Sequence, residues 1–212
     1  GRIVVDDVVD VLHEEADEDA LRMGGTSTEE LLYRNQVLPV ARVRLPWLAI
    51  NLFGSMVSAS LLHYFEPVIA KAVVIAAFVP VITNMGGNVG VQSATILTRG
   101  FATGRIALGD VPRIALRELR VGLLLGLACG VIVAGLSYVF FSDDVVRMGS
   151  VVFISMTIAM TVAATFGALA PAALKMFGAD PAIASGPLVT TVNDVLGILI
   201  YMSLAAVSLR SL

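Results

Sequence analysis

Near the C-terminal end of this chain one carboxylate, Asp194, stands in an apolar run, Ser185 to Tyr201, SGPLVTTVNDVLGILIY. A charged side chain at the centre of a membrane span costs roughly 3 kcal/mol to insert, and such residues mark ion paths and proton relays. No basic residue lies within the run to neutralise it. The counter-charge therefore comes from another helix, from a proton, or from a cation that is not part of the protein. On a helix, Thr190, Thr191, Gly197 and Tyr201 share the face of Asp194. Ser185, Gly186 and Pro187 begin that helix, and Asn193 adjoins the carboxylate. One carboxylate with hydroxyls and backbone carbonyls suits a hard cation in a wet path. The competing reading is a carboxylic acid kept neutral by burial and bonded to a neighbouring helix.

A second polar series lies upstream. Asn84, Asn88, Gln92 and Thr95 recur at helical steps and line one face. Gly86, Gly87 and Gly90 beside them admit another backbone or a hydrated ion. The series reads as the second wall of a pore, or as hydrogen-bonding glue at a small-residue seam. GGNVG is not a dinucleotide loop, because no strand precedes it. Gly122, Gly126 and Gly130, spaced by four, form a packing seam. Ser155, Thr157, Thr161 and Thr165 could line a path, but the favoured reading has them bonded to their own helix backbone. His13 and His63 are isolated, and Cys129 is the only cysteine, so neither a disulfide nor a cysteine metal site is expected. An intramembrane aspartyl protease needs two facing carboxylates. No Ser–His or metal–His arrangement appears either, and the chain does not read as an enzyme.

The elements that must position these residues follow from composition. The chain is 57% hydrophobic and 15% charged, against about 25% charged in soluble domains. It reads as an all-α integral membrane protein of five spans, at about 46–65, 67–99, 119–141, 151–174 and 183–209. The second exceeds what a bilayer needs and holds Pro80, so a kink or local unwinding is expected near the glycine run. Trp47 and Tyr64 anchor the ends of the first.

Net charge −3 hides an asymmetry: residues 1–30 carry a balance of −8 and the rest +5. Gly1 to Val5 reads as a strand, the remnant of a cytosolic domain. Asp6 would cap a helix with apolar Val8, Val9, Leu12, Ala16, Ala20 and Leu21 on one side. Its other face is acidic, a solvated surface or a low-affinity divalent-cation sensor. Gly24-Gly25 ends it. Leu31, Leu32, Arg34, Val37 and Leu38, with Glu29 and Glu30, read as a short helix on the membrane surface. The organisation is thus a remnant at 1–5, an acidic connecting helix and juxtamembrane segment at 6–44, and a pore domain at 45–212. Eleven Lys and Arg against three place the N-terminus in the cytoplasm and the C-terminus outside, with Asp143-Asp144 facing out.

If two copies met about a two-fold axis, two Asp194 carboxylates would face one ion, −2 against +2. Magnesium prefers oxygen ligands, sheds water reluctantly and is often held through one or two carboxylates. The absence of soft ligands near Asp194 argues against copper or zinc.

At this point the chain resembles the MgtE family of magnesium channels. The resemblance rests on RLPWLAINL (44–52), PVITNMGGNVGVQSATILTRGFATGRI (80–106) and ASGPLVTTVNDVLGILIY (184–201). The opening GRIVVDDVVDVLHEEADEDA is similar to the end of that family's second CBS domain running into its connecting helix. The resemblance implies a homodimer in the cell (inner) membrane, in contact with lipid and not with nucleic acid. It implies a pore between the second and fifth helices, with Asp194 recognising hydrated Mg2+. Pore-lining roles are implied for Gly86, Gly87, Asn88, Thr190, Thr191 and Asn193. Cytosolic N and CBS domains would sense internal Mg2+ and gate the pore, with Glu14, Glu15, Glu18 and Asp19 as the sensor face. On this reading those domains are missing here except for the final strand, so Glu14, Glu15, Glu18 and Asp19 lose their docking partner and regulation by internal Mg2+ is weakened. Two rivals stay open: a proton- or sodium-coupled divalent-cation carrier, and a membrane anchor with no flux.

Overall fold

Lipid offers no partner to a backbone N–H or C=O, so a spanning segment must satisfy both internally. In the computed structural model the chain does so with helices alone; no strand is present among the described residues, which are 4–28, 30, 36–140, 145–184 and 186–210. In order they are α1 (Val5–Met23), α2 (Val37–Tyr64), α3 (Glu66–Lys71), α4 (Val74–Ala102), α5 (Val111–Phe140), α6 (Val145–Met176) and α7 (Pro187–Arg210), with 3-10 turns at Leu108–Asp110 and Pro181–Ala184. Five of them, α2, α4, α5, α6 and α7, are long and apolar enough to cross a membrane. This is the five-span, all-α architecture expected from hydropathy.

Helix ends differ from the expected spans because hydropathy marks lipid, not hydrogen bonding. Helix α2 begins at Val37 and carries Pro46 inside it. Likewise α4 runs unbroken through Pro80 and the glycine run, without the expected unwinding. The interruption lies earlier, at Ala72 and Val73, between α3 and α4. Around Pro80, Thr83 Oγ1 donates to the carbonyls of Val79 and Pro80 at 3.1 and 3.3 Å.

Helix α6 is the centre of the bundle. It packs along α5, α4 and α7, whereas α2 lies on α7 alone at any length. Its buried residues Val152, Met156, Ala159, Met160 and Ala164 join Ile75, Phe78 and Ile82 of α4 and Ile198, Tyr201 and Met202 of α7. The expected seam is where α5 meets α6. A Cβ on Gly122, Gly126 or Gly130 would lie within 2.9 Å of atoms of Met160, Thr157 or Phe153. The hydroxyls of Thr157, Thr161 and Thr165 donate to carbonyls one turn back, as expected, whereas the buried Ser155 hydroxyl, expected to do the same, has no partner among the described residues.

At the N-terminus, Asp7 rather than Asp6 closes the first turn of α1, accepting from the Val4 N–H at 2.9 Å. Val5, read as the end of a strand, is already helical. Residues 1–3 of that strand, Glu29 and residues 31–35 of the surface helix, Asp143 and Asp144, and Ser185 lie outside the described residues. Gly25, at φ +75°, supplies the left-handed residue that ends α1. The segment that follows is tied to α2 by Glu30, which pairs with Arg44. Arg44, and then Thr26, hold the Glu30 carboxyl down at about 2. A depressed carboxyl contributes stability above its unfolded value that is lost as pH falls through the folded one. The emission of Trp47, the only tryptophan and one turn beyond Arg44, is therefore expected to hold steady from neutral pH to mildly acid pH. It should shift only as the pH approaches about 2; acid titration of Arg44→Met, which lacks the pair, should lose that plateau.

Candidate functional site

The two polar series meet. A cleft of about 310 Å3 between α4 and α7 is lined by Pro80, Thr83, Asn84, Gly87, Asn88, Thr190 and Asp194. Helical spacing brings Asn84 and Asn88 to one face, where the Asn88 amide donates to Asn84 Oδ1 at 3.4 Å. Gly87 borders the carboxylate: a Cβ there would make ordinary contact, 3.6 Å from Asp194 Oδ1 and 3.4 Å from Thr190 Cγ2. Thr190 Oγ1 donates to the Gly186 carbonyl at 3.3 Å, and the oxygen remains able to accept. Asp194 is half-buried, and Asn84, Asn88 and Gln92 are exposed on the outer surface of the chain. Five apolar helices thus carry a polar strip that opens outward rather than into their own core.

Of the other residues expected on the wall, three lie in helix seams of this chain. Gly86 faces Ala163 of α6. Thr191 turns to the first span, where its hydroxyl donates to Asn51 Oδ1 at 2.7 Å, and its methyl fills the space left by Gly54. Asn193 is 1% exposed and its amide lies against Gly90 and Val189, since a Cβ on Gly90 would collide with Nδ2. Neither polar atom of Asn193 has a partner among the described residues. Thr83 and Pro80 line the cleft without having been expected there. Their signal was present, as both sit one turn before Asn84 and Gly87. Among the described residues no three of His, Cys, Asp and Glu converge on one point. Asp194 is thus the single formal charge of the cleft, and Asn84, Asn88 and Thr190 surround it with neutral oxygens.

The acidic helix reaches the start of α7. Arg22 pairs with Glu18 on its own helix and with Asp180 beside the Pro181–Ala184 turn. Burial, then the neighbouring Asp180, pushes the Asp19 carboxyl up, while Arg99 and Arg22 pull it down. Glu14 and Glu15 are exposed, and so are Val5, Val8, Val9 and Leu12 on the apolar side of α1. A Cβ on Gly186 would stand 2.2 Å from the Met23 carbonyl oxygen, and one on Gly25 3.1 Å from Pro187. Helix α1 therefore ends directly on the residues that begin the Asp194 helix. Gly186→Val is expected to unseat that contact. Tryptic cleavage after Arg22 should then become several-fold faster than in the parent, and an unchanged rate would show that α1 is held elsewhere.

Comparison with known proteins gives a consistent result. The sequence model of a family described as "MgtE: Divalent cation transporter" matches residues 79–204. The chain is 40% identical over 214 aligned positions to the magnesium transporter MgtE of Thermus thermophilus, an alignment that covers 100% of this chain and 46% of that protein. It is 34% identical to the magnesium transporter MgtE of Bacillus subtilis, with the same coverage. It is also 34% identical to that of Enterococcus faecalis, over 99% of this chain and 46% of that protein. The chain spans about half the length of the curated relatives it matches.

Proposed function

The chain belongs to the MgtE family of divalent cation transporters, and from that premise we propose that it passes Mg2+ across the cell (inner) membrane as a selective channel. The observation that carries this reading is the outward-opening polar strip with Asp194 at its centre. Asn84, Asn88 and Gln92 cannot face lipid cheaply, since a buried amide without a partner costs several kcal/mol. A second copy about a two-fold axis would close the strip into a path, and two carboxylates would then face one dication.

Mg2+ keeps most of its six waters. Six waters at about 30 Å3 each fill about 180 Å3, which fits a cleft of about 310 Å3 in each chain. Asp194 would accept hydrogen bonds from those waters rather than replace them. Thr190, Asn84 and Asn88 would supply further oxygens around the hydrated ion. Selectivity would then rest on charge and on the spacing of oxygens to the hydrated shell.

The relatives are about twice as long as this chain. We read Glu14, Glu15, Glu18 and Asp19 as a face that meets cytosolic N and CBS domains of such a longer protein when internal Mg2+ screens its charge. The contact of Met23 and Gly25 with Gly186 and Pro187 would pass that docking to the Asp194 helix. Lys and Arg cluster at the ends of α4 and α5 nearest α1, which supports a cytoplasmic N-terminus and an outside C-terminus.

The test is Mg2+ influx into proteoliposomes with an enclosed Mg2+ dye and no proton or Na+ gradient. Influx on the Mg2+ gradient alone is expected. Influx that appears only when a proton or Na+ gradient is imposed would replace the channel with a coupled carrier. No flux under any gradient would leave an anchor.

A further inference from the structure

The second and third spans come together only at one end, in a short ladder. There Val111 and Ile114 of α5 pack against a cluster formed by Leu97 and Phe101 of α4 with Ala168 and Ala172 of α6. Positions 93, 97 and 101 share one face of α4, and 111, 114 and 118 share one face of α5. The next rung inward is therefore Ser93 against Glu118. It is polar where an apolar pair would have continued the ladder. Ser93 Oγ donates to Glu118 Oε2 at 2.8 Å. Arg117 Nε and Nη2 donate to Glu118 Oε1 at 3.1 and 2.7 Å. Ser93 is 2% exposed and Glu118 4%, while the Arg117 side chain is 57% exposed. Beyond this ladder α5 follows α6 rather than α4.

Stability does not call for a carboxylate here. Replacing both partners of a buried polar pair by apolar groups of like shape is often neutral or stabilising. A directional bond adds to the packing of α4 on α6 and α7 a further constraint on its rotation about its own axis. Ser93 follows Gln92, and successive residues are about 100° apart around a helix. The angle at which Ser93 is held therefore sets where Asn84, Asn88 and Gln92 point. Tyr201 Oη holds the other end of α4 by donating to the Ile75 carbonyl at 3.0 Å. Between these two bonds lies the whole polar strip.

We propose that Glu118 is a positioning residue for the ion path: through Ser93 it locks the rotation of α4 so that Asn84 and Asn88 face the cleft beside Asp194 and Gln92 stays on the same outer surface. Its effect on transport rests on the channel reading above; its geometry does not.

The test is Ser93→Ala combined with Glu118→Met, which exchanges the polar pair for apolar groups of similar length. The double variant is expected to fold and melt like the parent. Its Mg2+ flux per folded protein should fall about tenfold, the scale of one charge-assisted hydrogen bond. Glu118→Gln, which keeps an acceptor for Ser93, should restore most of the flux. Parental flux per folded protein in the double variant would overturn the proposal. Should the double variant not fold, Ser93→Ala carries the same comparison. A second readout is independent of transport: labelling of Gln92→Cys by a membrane-impermeant thiol reagent, in a Cys129→Ala background. The lock predicts a several-fold slower rate when Ser93→Ala is added. If the parent carried no Mg2+, the channel reading would fall, and the labelling rate alone would decide the lock; an unchanged rate would overturn it.

Discussion

Asp194→Ala is expected to reduce Mg2+ influx into dye-loaded proteoliposomes at least a hundredfold while leaving the amount of folded protein unchanged. The carboxylate is half-buried beside Gly87 and Thr190 and has no basic neighbour in the cleft. Removing it relieves a cost of burial, so the fold has nothing to lose. On the channel reading, the ion would lose its only formal counter-charge on that wall. One charge-assisted hydrogen bond is worth about 1.5–3 kcal/mol, and a paired site loses two. At about 1.4 kcal/mol per tenfold, the loss spans roughly two to four orders of magnitude. Asp194→Asn separates charge from shape: it keeps an oxygen in place and should still lose at least tenfold, with weaker preference for divalent over monovalent cations. Full flux in Asp194→Ala would remove this residue from the path. A fall in folded yield that matches the fall in flux would make the residue structural.

Asp194, Asn84 and Asn88 were legible because lipid makes polar residues expensive, so each one in a span must answer to something. The same logic applied to Asn51 and Glu118, yet neither was singled out. Asn51 is a lone amide in the first span, and its partner Thr191 was already assigned to the pore face. Glu118 falls one residue before the stretch at which hydropathy opens the third span, so it reads as part of a basic loop. In the structure α5 begins at Val111, and the carboxylate is a buried helix residue. Positions at span edges are thus where a sequence says least, because hydropathy locates the membrane and hydrogen bonding locates the helix.

Side-chain direction was the other limit. Spacing puts Thr190 and Thr191 equally near the face of Asp194, and only the packing of α2 on α7 decides between them. Gly54 leaves room for the Thr191 methyl and Asn51 takes its hydroxyl, so Thr191 turns into the seam with α2 and Thr190 stays on the cleft. The pairing of the second and fifth helices was implied by the family resemblance, whereas the partner of each seam was not. Gly122, Gly126 and Gly130 announce themselves by their repeat; Gly90 belongs to the run with Gly86 and Gly87, whereas its partner Gly167 belongs to no such run.

Gly90 and Gly167 meet backbone to backbone where α4 crosses α6. A Cβ on Gly167 of α6 would lie 2.1 Å from the Gly90 carbonyl oxygen and 2.9 Å from its Cα. Those are backbone atoms of α4, and no rotamer change can move them aside. Gly90 also abuts the buried Asn193 amide of α7, so α4, α6 and α7 share one contact. Overpacking a tight interior costs about 1–3 kcal/mol where side chains can yield, and more where they cannot. Net stabilities are only about 5–15 kcal/mol. Gly167→Val is accordingly expected to abolish monodisperse protein on size-exclusion chromatography, and Gly167→Ala to lower the melting temperature clearly. Gly135→Ala on α5 is the control, since a Cβ there meets nothing within 4 Å. Alanine in an open helix position gains up to about 1 kcal/mol over glycine, so that variant should melt at or above the parent. Equal behaviour of the two alanine variants would mean that α6 can move off α4 at low cost. The cleft would then be held by α7 alone, and Gly90 and Gly167 would not set its width.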